Sequence, residues 1–173
     1  MEQPATSRQR AIAAEVPRLM RYARALLRDK HDAEDLVHDC IVRALANLSG
    51  WREGDNPRKW LFTIMHNVHI DQIRARARRP SQVPLEDSDY GSVGDHRATE
   101  VLGYEIERAL ASLPLDQRQC VLLVGLEGLS YAAAAEVLGV PVGTIMSRLS
   151  RGREAMRQRL DPTRERPALR RIK

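Results

Sequence analysis

Between residues 129 and 153 the chain reads LSYAAAAEVLGVPVGTIMSRLSRGR, a pattern that admits few folds besides two short helices crossing at a glycine turn. Such a crossing needs a small residue where the helices touch, a glycine at the turn and buried aliphatics at set offsets. Ala135, Gly139, Val140, Ile145 and Leu149 meet those demands. Ser130 suits the N-cap of the first helix, and Pro141 the entry to the second. With Ile145 and Leu149 turned inward, Ser147, Ser150 and Arg151 face outward, with Thr144 and Arg148 on the flank. Short polar and arginine side chains on the exposed N-terminal half of the second helix are what reading a major groove requires. An ordinary helical hairpin would not need the turn, the core offsets and the surface chemistry together.

The remainder of the chain is helical by similar logic. Aromatics make up 4% of the 173 residues, so the core must be built from Leu, Val, Ile and Ala, which favours helical units over a β-sandwich. Ile12, Val16, Leu19, Met20, Ala23, Leu26 and Leu27 recur at the three- and four-residue steps of an amphipathic helix. After a break at residues 28–31, Asp32 is placed to cap a second helix. Its buried stripe is Leu36, Val37, Cys40, Ile41, Ala44, Leu45 and Leu48, and it ends near Ser49 and Gly50. A loop over residues 49–57 precedes a third helix, opened by Pro57 and stopped by Pro80. Residues 80–99 hold Pro, Ser, Gly and Asp without periodicity and read as a flexible linker. A helix over residues 100–113, a break at Pro114 and a helix over residues 116–126 lead into the crossing pair. The fold expected is therefore all-α. A small helical domain over residues 10–79 is joined by the linker to a second one, with the helix-turn-helix, over residues 100–160. Residues 161–173 form a basic tail expected to be disordered.

Charge divides along the same boundaries, within an overall balance of +5. From residue 58 to 79 six bases face one acid, from 81 to 107 seven acids face one base, and from 141 to 173 ten bases face three acids. Two basic blocks around an acidic connector suggest two separate contacts with a polyanion. Cys40 and Cys120 lie far apart, match no metal spacing, and are expected as a buried thiol in each half. His66 and His69 are three residues apart, point to different sides of their helix and lack a third ligand. Neither a metal nor another cofactor is expected, and no nucleophile–base pair supports a hydrolase. No apolar run approaches the ~20 residues of a membrane span, and no leader is recognisable. A cytoplasmic protein without membrane insertion is expected.

Two further surfaces carry a pattern. On the third helix Leu61, Ile64, Met65 and Val68 share the buried face, while Lys59, Thr63, His66, Asn67, Ile70 and Arg74 share the other, beside the basic run through Arg78. On the second helix Asp32, Asp35 and Asp39 form an acidic face. Acids in a first turn complement the helix dipole, but Asp39 lies two turns in, beyond its useful range. A basic protein docking on that face is the sharper reading.

The segments DAEDLVHDCIVRAL, NPRKWLFTIMHNVHIDQIR and GLSYAAAAEVLGVPVGTIMSRLSRGR, in this order, resemble the extracytoplasmic-function sigma factors, small sigma-70-type initiation subunits that keep only domains two and four. The resemblance spans roughly residues 16–160. It implies sigma domain 2 over residues 10–79, sigma domain 4 over residues 100–160 and a part in stress-responsive transcription initiation, with no catalysis by the chain itself. It implies that Asp35, Leu36 and Asp39 bind core RNA polymerase at the clamp helices of its largest subunit; where the family commonly has Gln-Glu this chain has His38-Asp39. It implies a minus-ten reader built from Asp55, Asn56, Lys59, Thr63, Asn67, Asp71, Arg74 and Arg78, and a minus-thirty-five reader built from Thr144, Ser147, Arg148, Arg151 and Arg153. Core polymerase, promoter DNA and an anti-sigma factor are the partners it implies. A helix-turn-helix regulator independent of polymerase would leave the acidic helix and the second basic face without a purpose. A sigma-like decoy for an anti-sigma factor would have lost the DNA-facing bases present here.

Overall fold

A computed structural model describes residues 7–51, 55–78 and 99–161. Seven α-helices carry most of them: α1 (Ser7–Leu26), α2 (Lys30–Ala46), α3 (Pro57–Arg78), α4 (Thr99–Ala111), α5 (Leu115–Val121), α6 (Tyr131–Leu138) and α7 (Val142–Leu160). A short 3₁₀ turn, Leu48–Gly50, follows α2, and a π-helical turn, Leu122–Leu126, follows α5. There is no strand among the described residues. The all-α expectation holds. The linker and the tail lie outside the described residues, apart from Thr99 at the start of α4 and Asp161 after α7.

Two boundaries differ from the sequence reading. The cap of α2 is Asp29, whose carboxylate accepts the backbone N–H of Asp32 at 2.9 Å. That bond holds the Asp29 carboxyl below its ordinary range. Asp32 therefore sits inside the first turn, where its charge suits the helix dipole and its side chain is released to pair elsewhere. The helix expected over residues 116–126 stops being α at Val121 and continues as the π turn, so the chain re-aims before Gly128, whose φ is +68°. Ser130 caps α6 as expected, accepting Ala133 N–H at 3.1 Å.

In the N-terminal unit α1 and α3 close on α2. Leu19, Ala23 and Leu26 of α1, Leu36, Val37 and Cys40 of α2, and Leu61, Met65 and Val68 of α3 are all buried. Tyr22 meets Phe62 edge-to-face at 5.0 Å. Each such aliphatic side chain removed from water is worth about 1.5–3 kcal/mol. In the C-terminal unit Ala134, Ala135, Val137, Ile145 and Leu149 fill the crossing. Gly139 ends α6 at φ +63°, and Val140 N–H bonds Ala135 C=O at 3.1 Å across the left-handed turn. Gly152 lets α7 touch α5, since a Cβ there would lie 2.8 Å from Val121 Cγ2. Cys40 and Cys120 are both buried and unpaired with each other, one in each unit.

The two units pack directly on one another. α3 lies along α6, and α1 along α4 and the π turn. His69, on the buried side of α3, is 5% exposed, and its Nδ1 finds no hydrogen-bond partner among the described residues. Burial, with His66, Arg76 and Arg118 nearby, pushes its pKa down to about 4. The folded state thus prefers neutral His69, so stability is full above the unfolded value near 6.5 and falls as pH drops toward 4. By pH 5 the loss should reach about 2 kcal/mol. Chemical denaturation of wild type and His69→Gln at pH 7 and pH 5 checks this; the variant should lose markedly less over that interval.

Candidate nucleic-acid interface

The third helix starts where two local devices meet. Asn56 Oδ1 accepts Arg58 N–H at 3.0 Å, which caps the helix, and Pro57 occupies its first position. Trp51 stacks on Trp60 at 5.7 Å, and its indole N–H donates to Asp55 C=O at 3.1 Å. The ends of the loop expected over residues 49–57 are thereby tied to α3, although residues 52–54 are not among those described. This tryptophan pair escaped the sequence reading. Two of seven aromatics placed nine residues apart were the available signal.

From that start α3 presents its basic face in two parts. Asn67, Arg74 and Arg78 are exposed toward the C-terminal end. Nearer the start, Thr63 is half-buried and its hydroxyl donates to Lys59 C=O at 2.9 Å. Lys59 pairs with Glu136 of α6, which pushes the ammonium pKa up. His66 Nδ1 lies 3.4 Å from Gln119 Nε2 of α5, and burial pushes the imidazole pKa down. The C-terminal unit thus covers part of this basic face. Asp71, expected on that face, is instead turned to Arg43 of α2 at 3.0 Å.

The acidic face of α2 forms a shallow groove with the end of α3, lined by Asp32, Asp35, Asp39, Gln72, Ala75 and Arg76. Arg76 grips both oxygens of Asp32 at 2.6 and 3.2 Å, and Gln72 donates to Asp39 at 3.0 Å. Asp35 and Asp39 stay exposed along the groove. Leu36 is completely buried. It shapes this face from within and cannot itself touch a partner.

On α7 the residues assigned to the second reader separate. Ser147, Arg151 and Arg153 are exposed, and Thr144 is half-buried. Arg148 is drawn back to Asp116 of α5 at 3.1 Å and keeps a side-chain exposure of 26%. Arg157, paired with Glu154, and the exposed Arg159 lie in the last turn of α7.

What joins the units is a set of polar contacts that no local pattern announces. Glu127, with no exposed side-chain surface, accepts both Nε and Nη2 of Arg21 on its Oε1 at 3.1 and 2.9 Å. Arg18 stands 3.9 Å from the other oxygen. Arg118 of α5 donates to Leu26 C=O at the end of α1 at 2.9 Å, and to Ala111 and Leu113 C=O after α4 at 2.6 and 3.0 Å. One guanidinium therefore answers the open carbonyls of two helix ends, one in each unit.

Comparison with known proteins matches residues 104–156 to the sigma-70 region 4 family and residues 12–66 to the family of the sigma2 domain of PhyR. The chain is 38% identical over 148 residues to the ECF RNA polymerase sigma factor EcfG of Rhodopseudomonas palustris, covering 84% of this chain and 80% of that protein. It is 36% identical over 142 residues to the ECF RNA polymerase sigma factor SigC of Mycobacterium tuberculosis, covering 80% and 75%. Among solved structures, the sigma factor RpoE in complex with the anti-sigma factor NepR from Bartonella quintana is similar at a TM-score of 0.71 and 32% identity, covering 90% of this chain and 97% of that one. CnrH in complex with the cytosolic domain of CnrY gives 0.66 at 25% identity, covering 89% and 87%.

Arg21→Met should loosen the contact between the units. It leaves the buried Glu127 carboxylate with only the more distant Arg18, a loss of about 3 kcal/mol to the closed arrangement. Small-angle scattering should then show a larger radius of gyration than wild type, with helicity by circular dichroism unchanged.

Proposed function

The chain belongs to the ECF family of RNA polymerase sigma factors, and we propose that it places its two helical units on the two elements of a promoter while held on core polymerase. It is a subunit that confers promoter recognition; bond-making in RNA synthesis belongs to the polymerase. The observation that carries the residue assignments is the presence, on one chain, of two separate helices with exposed cationic side chains. Arg74 and Arg78 lie on α3, and Arg151 and Arg153 on α7.

In this reading the groove between α2 and α3 receives the clamp helices of the largest polymerase subunit, with Asp35 and Asp39 facing a basic partner. Asn67, Arg74 and Arg78 meet the minus-ten strand, and the Trp-pinned loop around Asp55 and Asn56 receives a base leaving the duplex. Thr144, Ser147, Arg151 and Arg153 read the minus-thirty-five element, with Arg148 positioned by Asp116. Lys59 joins the minus-ten contact once Glu136 moves away, since a phosphate can take the place of the carboxylate. No single described helix is long and apolar enough to cross a membrane. The site of action in this reading is the cytoplasm, where polymerase and promoter DNA are.

An anti-sigma factor is the regulatory partner in this reading. An apolar groove bridges the units, lined among others by Met20, Ala25, Ile106, Leu110, Leu122 and Leu126. It exists only while the units are packed together, so a partner helix seated there would favour the closed arrangement and keep Lys59 and His66 covered.

Two substitutions test the assignments. Asp35→Lys with Asp39→Lys reverses the groove's charge at exposed positions; affinity for core polymerase should fall at least 100-fold, about 3 kcal/mol, with helicity retained. Native affinity in a binding titration would refute the assignment. Asp55→Ala with Asn56→Ala should lower heparin-resistant complexes on duplex promoter DNA more than initial binding, and the defect should shrink on a template already mismatched across the minus-ten region. Because Asn56 also caps α3, the pre-melted template separates base capture from a cap loss of about 1 kcal/mol, which would persist on both templates.

A further inference from the structure

The outward side of α7 carries apolar surface as well as polar groups. Met146 is 54% exposed and Val142 42% exposed, one helical turn apart in the N-terminal half of the helix. Gly143 lies beside Val142, and a Cβ built there would meet nothing within 4 Å. Two sizeable apolar side chains thus face solvent beside backbone that carries no side chain. The polar neighbours are partly engaged with the helix itself. Ser147 Oγ donates to Thr144 C=O at 3.0 Å, Arg151 Nε donates to Ser147 C=O at 3.3 Å, and Arg148 is paired with Asp116.

The N-terminal half of the second helix is the part of a helix-turn-helix that approaches base edges. Major-groove edges offer hydrogen-bond donors and acceptors and one apolar group, the methyl on C5 of a pyrimidine. Arg151 and Arg153 on the same helix are exposed and supply cations for the phosphates that would flank such a contact. We propose that Val142 and Met146 form an apolar patch beside Gly143 that reads a pyrimidine 5-methyl group in the minus-thirty-five element, so that specificity there rests partly on methyl contact. This inference rests on the assignment of α7 as the minus-thirty-five reader. Thymine carries the methyl in ordinary DNA, and 5-methylcytosine offers the same group.

The test uses holoenzyme assembled from the full chain and its core polymerase. A preferred minus-thirty-five element is first selected from randomised duplex DNA. Each thymine in it is then replaced by uracil, which deletes only the methyl, and each cytosine by 5-methylcytosine, which adds one. At one position or more, uracil should weaken binding about four-fold, the equivalent of one buried methyl group, or 5-methylcytosine should strengthen it by a similar factor. The first outcome identifies thymine as the natural source of the methyl, the second methylated cytosine. Met146→Ala should weaken binding to the methyl-bearing element and abolish the difference between methyl-bearing and methyl-free DNA, while Met146→Leu should retain it. A selected element whose binding is indifferent to every methyl overturns the inference and leaves the reader assignment standing. So does a methyl effect that survives in Met146→Ala. Failure to enrich any element overturns the assignment and the inference together.

Discussion

A carboxylate with no exposed surface must have its charge answered by the protein, and Glu127 is answered from the other half of the chain. Its counter-charges, Arg21 and Arg18, stand on α1, whereas Glu127 itself ends the turn that leads into the helix-turn-helix. Leaving such a group unpaired costs about 3–5 kcal/mol, comparable with a large part of the stability of a small domain. Arg118 works in the opposite direction, reaching from α5 to the last carbonyl of α1. These reciprocal contacts fix how α1 lies against α4 and, through it, where α3 meets α6.

The surfaces of the two units are consequently unequal in access. The outward side of α7 is open, with Met146, Ser147 and Arg151 facing solvent. The first half of α3 is covered, since Lys59 is committed to Glu136 and His66 to Gln119. The covering contacts are weaker in kind than the contact at Glu127. Lys59 and Glu136 are both substantially exposed, and such pairs contribute about 0–1 kcal/mol. Separation of the units is therefore resisted mainly by the apolar surface they bury, while the Arg21–Glu127 pair fixes how they meet. The Lys59–Glu136 pair can open at little cost.

Much of this protein is legible in its sequence, for identifiable reasons. The helix-turn-helix was readable because its demands are local: Ser130 caps α6, Gly139 turns left-handed, and Ile145 and Leu149 return every four residues. The acidic face of α2 was readable from the same periodicity. The start of α2 is ambiguous in sequence because Asp29 and Asp32 are both competent caps one turn apart, and only the backbone distinguishes them. Helical structure does run to residue 126, but its last turn is π; the unbroken apolar run over residues 121–124 does not distinguish an i→i+4 from an i→i+5 turn.

Charge pairing lies beyond that local grammar. Asp71 pairs with Arg43, Asp32 with Arg76 and Arg148 with Asp116, across separations of roughly thirty to forty residues. Arg21 meets Glu127 across 106. A side chain's periodicity tells which way it leaves its own helix, but its partner depends on which other helix end arrives there. The sequence by itself therefore determined that this protein is built from amphipathic helices, with a crossing pair at one end and two basic faces kept apart. Only the tertiary structure decided that the two units close on each other, that Glu127 is the buried anion between them, and that half of the α3 face is covered. Helix formation follows from neighbours three and four residues away, whereas the contact between the units depends on shape and charge brought together from opposite ends of the chain.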